Sequence, residues 1–291
     1  MASLLDMRRR IKSVKNTQQI TKAMKMVAAA KLKRAQDRVT SARPFAQKMS
    51  AVLGNLSSKV ADDFSHPLLV ERGDSKYLYV LVTADKGLAG AFNANVIKAT
   101  QADMAAHADK EISMVAVGRK GRDFFRRRNM NILDEYLGLT GGGSANYSDA
   151  SEIAKKLTKT FIEDETIDKV FLVFTEFKTV LSQKPVIEQL LPIPKIEAGD
   201  AGETAEAAEY VYEQPAVEIF GQLLPKQIET QIYRAMLESV ASEQGSRMTA
   251  MDSASKNAGE LIDSLTLNMN RIRQAAITKE IIEVVSGAAA A

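Results

Sequence analysis

Residues 4–60, LLDMRRRIKSVKNTQQITKAMKMVAAAKLKRAQDRVTSARPFAQKMSAVLGNLSSKV, decide the fold. Alternate steps of three and four from Leu4 visit Met7, Ile11, Val14, Gln18, Thr21, Lys25, Ala28, Leu32, Ala35, Val39, Ala42, Ala46, Met49, Leu53, Leu56 and Val60, so 14 of 17 positions are apolar. Such a heptad stripe outlasts the roughly three or four repeats that separate a coiled coil from chance. The three misses, Gln18, Thr21 and Lys25, are consecutive. There Ile20, Met24 and Val27 are expected to carry the stripe on a shifted face. A helix of this length extends roughly 85 Å, more than one small domain covers. Pro44 should kink it or lie on its outer face.

The other end of the chain repeats the pattern with smaller side chains. Leu224, Ile228, Ile232 and Ala235 lead into Ala254, Ala258, Leu261, Leu265, Met269, Ile272 and Ala276, spaced by three or four. Small seam residues let helix axes approach closely. Because the two helical ends are joined through a section of different pattern, an antiparallel intrachain coiled coil is the simplest closure. Long amphipathic helices also serve as plain packing elements, and the pattern alone does not separate the two roles.

Composition narrows the chemistry. The 291 residues include no cysteine, which excludes disulfide scaffolds, thiolate metal sites and thiol catalysis and fits a reducing compartment. The two histidines, His66 and His107, have no metal-ligand spacing. Apolar runs such as Val170 to Phe174 are too short to span a bilayer, and residues 1–10 lack a signal-peptide core, so a soluble or peripheral, non-exported protein is expected. The net charge of +3 hides an asymmetry: residues 1–60 hold 14 Lys and Arg against Asp6 and Asp37, and residues 196–218 hold seven acidic and no basic residues. A basic helix of this kind is either a solvated face or a surface for acidic partners.

From Tyr77 the period changes. Strands are expected at Tyr77–Thr83, Ile112–Val117, Lys169–Phe174 and, at an edge, Val186–Leu191, with helices at Phe92–Asp109, Asp123–Arg128 and Ser148–Glu163. Alternating apolar strands and helices imply a parallel sheet covered on both faces, Rossmann-like. The expected fold class is therefore α/β: a long antiparallel coiled coil of the N- and C-terminal helices plus a central Rossmann-like domain. Its segments are 1–60 (helix), 61–76 (linker), 77–195 (α/β domain), 196–215 (acidic linker or foot) and 216–291 (helix).

A nucleotide site finds no support in the residues. The turn DKGLAG at 85–90 lacks a GxGxxG fingerprint, GxxxxGK[ST] is absent, and the glycines at 141–143 have no strand feeding directly into them. No Ser/His/Asp set, paired-carboxylate cleft or metal cluster emerges, so no catalytic residue, cofactor or metal is expected. Arg119, Lys120, Arg122 and Arg126 to Arg128 read as a second, solvated basic patch.

Residues 277–288, ITKEIIEVVSGA, resemble the signature I/V-T-x-E-x-x-D/E-x-x-x-G-A of the gamma subunits of F-type ATP synthases, matching at every fixed position. Residues 13–29, 78–90, 210–215 and 237–251 look like the same family, so the resemblance covers essentially the whole chain. It implies a non-catalytic central rotor stalk whose terminal helices turn inside a ring of three alpha and three beta subunits, while the foot and the α/β domain meet the epsilon subunit and the membrane c-ring. Ion-driven turning of the shaft would cycle the beta sites through different nucleotide affinities.

It further implies that Met24, Arg247, Arg273, Gln274, Thr278 and Glu280 contact beta, with Arg273 and Gln274 beside Met24 and the signature packed near it. Tyr210, Tyr212 and Glu213 would meet epsilon and the c-ring, and the protein would sit peripherally at the cytoplasmic face of the cell membrane. Lys25, where relatives often carry Glu, would add positive charge near an acidic beta loop. Two competing readings are a nucleotide-binding regulator with helical arms and a nucleic-acid-binding coiled coil using its basic helix; the lack of phosphate-loop motifs speaks against the first and the C-terminal signature against both.

Overall fold

The heptad stripe becomes one unbroken helix, α1 (Leu4–Lys59), in the computed structural model, which describes residues 4–59, 64–194 and 215–289. Pro44 is exposed on its outer face and does not interrupt it. Between α1 and the closing 74-residue helix lie β1 (Lys76–Val82), α2 (Phe92–Ala106), β2 (Glu111–Val117), α3 (Arg119–Arg126), β3 (Asn131–Tyr136), α4 (Tyr147–Glu163), β4 (Lys169–Phe177) and β5 (Gln183–Leu191); that helix is α5 (Ala216–Ala289). The chain forms two compact units, one from the described residues up to Ala28 and from Arg247 onward, the other from Ala29 to Ser246.

In the second unit five strands form a sheet in the order β3-β2-β1-β4-β5. The first four are parallel, and β5 is antiparallel to β4 across a tight turn, so the sheet is mixed rather than wholly parallel. Five residues between β4 and β5 are too few for a crossover helix, which leaves a hairpin as the only connection. As an edge strand, β5 accommodates Pro185, which has no N–H to donate.

β3 has no counterpart among the expected strands. Its sequence NILDEY alternates half-buried and exposed positions at the sheet's other edge, so it lacks the continuous apolar run that marks β1. On one face of the sheet Tyr77, Tyr79 and Leu81 pack with Val96, Ile97 and Met104 of α2 and Phe125 of α3. Leu78, Val80 and Val82, pointing the other way, are equally buried, so β1 is buried on both faces from Tyr77 onward. α3 starts earlier than its sequence indicates, at Arg119, because Gly118 (φ 97°) turns the chain where a Cβ would lie 2.1 Å from the Thr83 carbonyl oxygen.

α1 and α5 run antiparallel in this unit, since Arg43 bonds Glu238 and Ser50 bonds Gln227. Leu32, Ala35, Val39, Ala46, Leu53 and Leu56 of the stripe are buried, as are Leu224, Ile228, Ile232 and Ala235.

Candidate functional site

The first unit is a pair of antiparallel helical segments, with Gln18 Nε2 donating to the Ser255 carbonyl at 3.3 Å and Lys25 Nζ 2.6 Å from Asp252 Oδ1. Its seam does not shift at the three polar positions. Gln18 and Lys25 are half-buried and Thr21 is buried, whereas Ile20 is 59% and Val27 56% exposed. Hydrogen bonding lets the polar seam residues stay in register: Gln18 reaches across, Thr21 Oγ1 donates to the Gln18 carbonyl, and Lys25 is neutralised by Asp252. Ile20, Met26 and Val27 thus present apolar surface outward beside half-buried Met24.

Across the seam Met251 and Ala258 are buried, and Ile262, Leu265, Met269, Ile272 and Ala276 are half-buried. Leu261 is instead exposed, because after Ala258 the inward face steps by four to Ile262. Small residues permit close approach, and a Cβ on Gly259 would lie 3.1 Å from Gln18 Nε2.

The register also separates residues expected to adjoin. Continued along the pair, it places Leu4 level with about Arg273. Met24 is therefore roughly 20 residues, about 30 Å, from Arg273 and Gln274 and farther still from Thr278 and Glu280. Arg273, Gln274, Thr278 and Glu280 are all exposed, with Thr278 Oγ1 donating back to the Gln274 carbonyl, while Arg247 is half-buried in its own part of α5. Beyond Ala276, α5 continues with Ile277, Ile281, Ile282, Val284 and Val285 each 47% exposed or more. An aliphatic helix end this bare calls for a partner.

Lys25 does not extend a free charge. Asp252 holds it, and that carboxyl is kept below its usual range, first by the hydrogen bond from Lys25 and also by Lys256 at 3.4 Å. Tyr210, Tyr212, Glu213 and most of the acidic stretch lie outside the described residues.

The two glycine-bearing loops take structural parts. In the turn after β1, Asp85 accepts hydrogen bonds from the Arg119 and Gly138 N–H groups and the Thr140 hydroxyl, so these donors are already engaged by a carboxylate. β3 does precede the glycine run, contrary to the sequence reading, but the loop packs on α1: Gly143 (φ 80°) has room for no Cβ beside Lys31 Cδ, 2.8 Å away, and Arg38 bonds the Ala145 carbonyl.

The second basic patch is partly tied down, Arg122 to Asp123 and Glu135 and Arg128 over the Phe124 ring at 3.6 Å. Among the described residues no group of three or more His, Cys, Asp and Glu could hold a metal ion. Sequence reasoning missed the buried polar stretch of α5 that includes Glu238, Ser239, Ser242 and Gln244. Its partners, Arg43 and β4, are over 60 residues away along the chain, so no local signal marks it.

A family model described as ATP synthase matches residues 3–291. The ATP synthase gamma chain of Solibacter usitatus is 52% identical over 294 residues, covering 100% of both chains. That of Heliobacterium modesticaldum is 51% identical over 298 residues, covering 100% of this chain and 99% of its own. Among solved structures, the central stalk and c-ring of the Tetrahymena thermophila mitochondrial ATP synthase contains a chain 27% identical, with a TM-score of 0.60, over 81% of this chain and 99% of that one. The rotor of the Euglena gracilis enzyme has the same fold, with a TM-score of 0.67 at 17% identity over 94% and 98% of the two chains. Two antiparallel end helices around a five-stranded α/β domain, with full-length identity above one half to these relatives, place the chain in the ATP synthase gamma-chain family.

Proposed function

We propose that this chain is the central rotor stalk of an F-type ATP synthase, coupling ion-driven turning of the c-ring to the conformational cycle of the beta-subunit sites. The observation that carries the reading is the bare aliphatic end of α5, Ile277 to Val285, beyond the start of α1. A helix end that meets no partner among the described residues is suited to one in another chain, and an aliphatic surface can turn inside a ring because dispersion and burial are non-directional. Rotation changes which beta subunit each side of the pair meets, so contacts that differ with angle convert shaft position into site affinity.

Met24, with the exposed Ile20, Met26 and Val27, and Arg247 supply one level of beta contact. Arg273, Gln274, Thr278 and Glu280 supply a second, about 30 Å along the pair. Coupling between these levels would then act through shaft angle rather than touch. The partners are three alpha and three beta subunits, epsilon and the c-ring, with Tyr210, Tyr212 and Glu213 assigned to epsilon and the ring. No helix among the described residues is long and apolar enough to cross a membrane; the attachment proposed is peripheral, through the ring, at the cytoplasmic face. Catalysis belongs to the beta subunits, and this chain needs no cofactor. An affinity-tagged chain purified from detergent-solubilised membranes should bring down head and ring subunits together; recovery without either group would contradict the assignment.

A further inference from the structure

β1 pairs with β4 only as far as Leu81 opposite Val173, whereas β4 runs on to Phe177 with β5 alone beside it. The side abandoned by β1 would leave the backbone of Thr175 and Phe177 bare, an interior cost no folded protein tolerates freely. Side chains of the two long helices fill the gap. Ser239 Oγ accepts from the Thr175 N–H at 3.3 Å, and Ser242 Oγ donates to the Thr175 carbonyl at 3.1 Å. At Phe177, the N–H donates to Glu238 Oε2 at 2.9 Å, and the carbonyl accepts from Arg43 Nη2 at 2.8 Å. The Arg43 fork closes the circuit on the Glu238 carboxylate, Nε and Nη2 donating at 2.9 and 3.1 Å. With its side chain only 5% exposed, Glu238 binds α1, α5 and β4 at one point.

We propose that this capped strand edge is the torsional lock through which the α/β domain turns the helices, with Glu238 and Arg43 as positioning residues for coupling. The inference rests on the rotor-stalk reading. Apolar seams resist separation but are non-directional, so they resist sliding and twisting weakly. Hydrogen bonds lose strength steeply when their angle or length changes, and a bidentate charge-assisted pair fixes orientation as well as distance. A lock of this kind opposes relative rotation of helix and sheet, which is the displacement that torque would produce. Glu238 is buried, which limits screening of the pair by salt although Arg43 remains 43% exposed.

The test uses the whole complex in inverted membrane vesicles, with ATP hydrolysis and ATP-driven ion pumping measured on the same preparation and normalised to assembled complex. Glu238→Gln keeps an acceptor for the Phe177 N–H but loses the ion pair, and Arg43→Lys keeps the charge but loses the fork. Ile153→Ala, which hollows the core at α4, serves as a control for stability alone. The expected result is that both lock variants assemble and hydrolyse ATP while slipped turnovers become about tenfold more frequent and the pumping-to-hydrolysis ratio falls. The control should lower the amount of complex and leave the ratio intact. A wild-type ratio in both lock variants, or loss of assembly in both with no change of ratio in what remains, overturns the lock. Absence of the wild-type chain from a pumping complex would instead refute the stalk reading beneath it.

Discussion

Lys25 and Asp252 meet at 2.6 Å inside a seam that its heptad positions would otherwise fill with aliphatic side chains. Both remain more than a third exposed, so the pair contributes register more than stability. The folded Asp252 carboxyl lies below its usual range because Lys25 donates to it, so whatever stability it adds is present above the unfolded carboxyl value and is lost as pH falls through the lowered folded one. Melting curves of wild type and Asp252→Asn should differ by a constant offset from pH 7 to about 5, begin to approach each other only near about 4, and meet below the lowered folded value. An offset that persists at low pH would show that the carboxylate is not the stabilising form. Lys25 was legible as a departure from the apolar stripe, but its partner was not. Asp252 lies 227 positions away, and only the helix register brings it near.

At the scale of elements, repeating apolar spacing made the long helices legible, and continuous apolar runs made β1, β2 and β4 legible, because one buried face imposes a period on the chain. β3 and the reversed direction of β5 were hidden. Edge strands alternate with solvent and lose the continuous run, and strand direction is decided by loop length rather than by the strand's own residues. The Ile20, Met24 and Val27 stripe misled because an exposed apolar face has the same periodicity as one that packs within the chain.

Burial separates two substitutions that the sequence treats alike. Leu32 is 4% exposed, so Leu32→Asp should destabilise the chain by several kcal/mol, on the order of an unpaired buried carboxylate. Leu265 is half-buried, and Leu265→Asp should cost clearly less. Chemical denaturation of both variants checks this, and equal losses would mean that the seam is equally dry at both levels.

In the whole molecule, coupling requires shaft contacts that depend on angle. Met24→Lys adds an ammonium beside a lysine already held by Asp252, so the new charge is the one available to a neighbouring subunit. An added ion pair worth ~1.4 kcal/mol at one angle would slow departure from it about tenfold. The variant should assemble and hydrolyse ATP while pumping ions poorly, and an unchanged pumping-to-hydrolysis ratio would remove Met24 from the coupling surface. Tyr210, Tyr212 and Glu213 were assigned to a foot through resemblance alone, since an acidic stretch between elements has no periodicity to read.

Rotation itself is the most direct test. The chain has no cysteine, and Leu181 at the β4–β5 turn is 86% exposed, so Leu181→Cys provides a single attachment point for an optical probe. With the catalytic head fixed to a surface and ATP supplied, the probe should turn continuously in one direction and stop when hydrolysis is inhibited. A probe that stays still while the same complexes hydrolyse ATP would contradict the claim that this chain is the rotor.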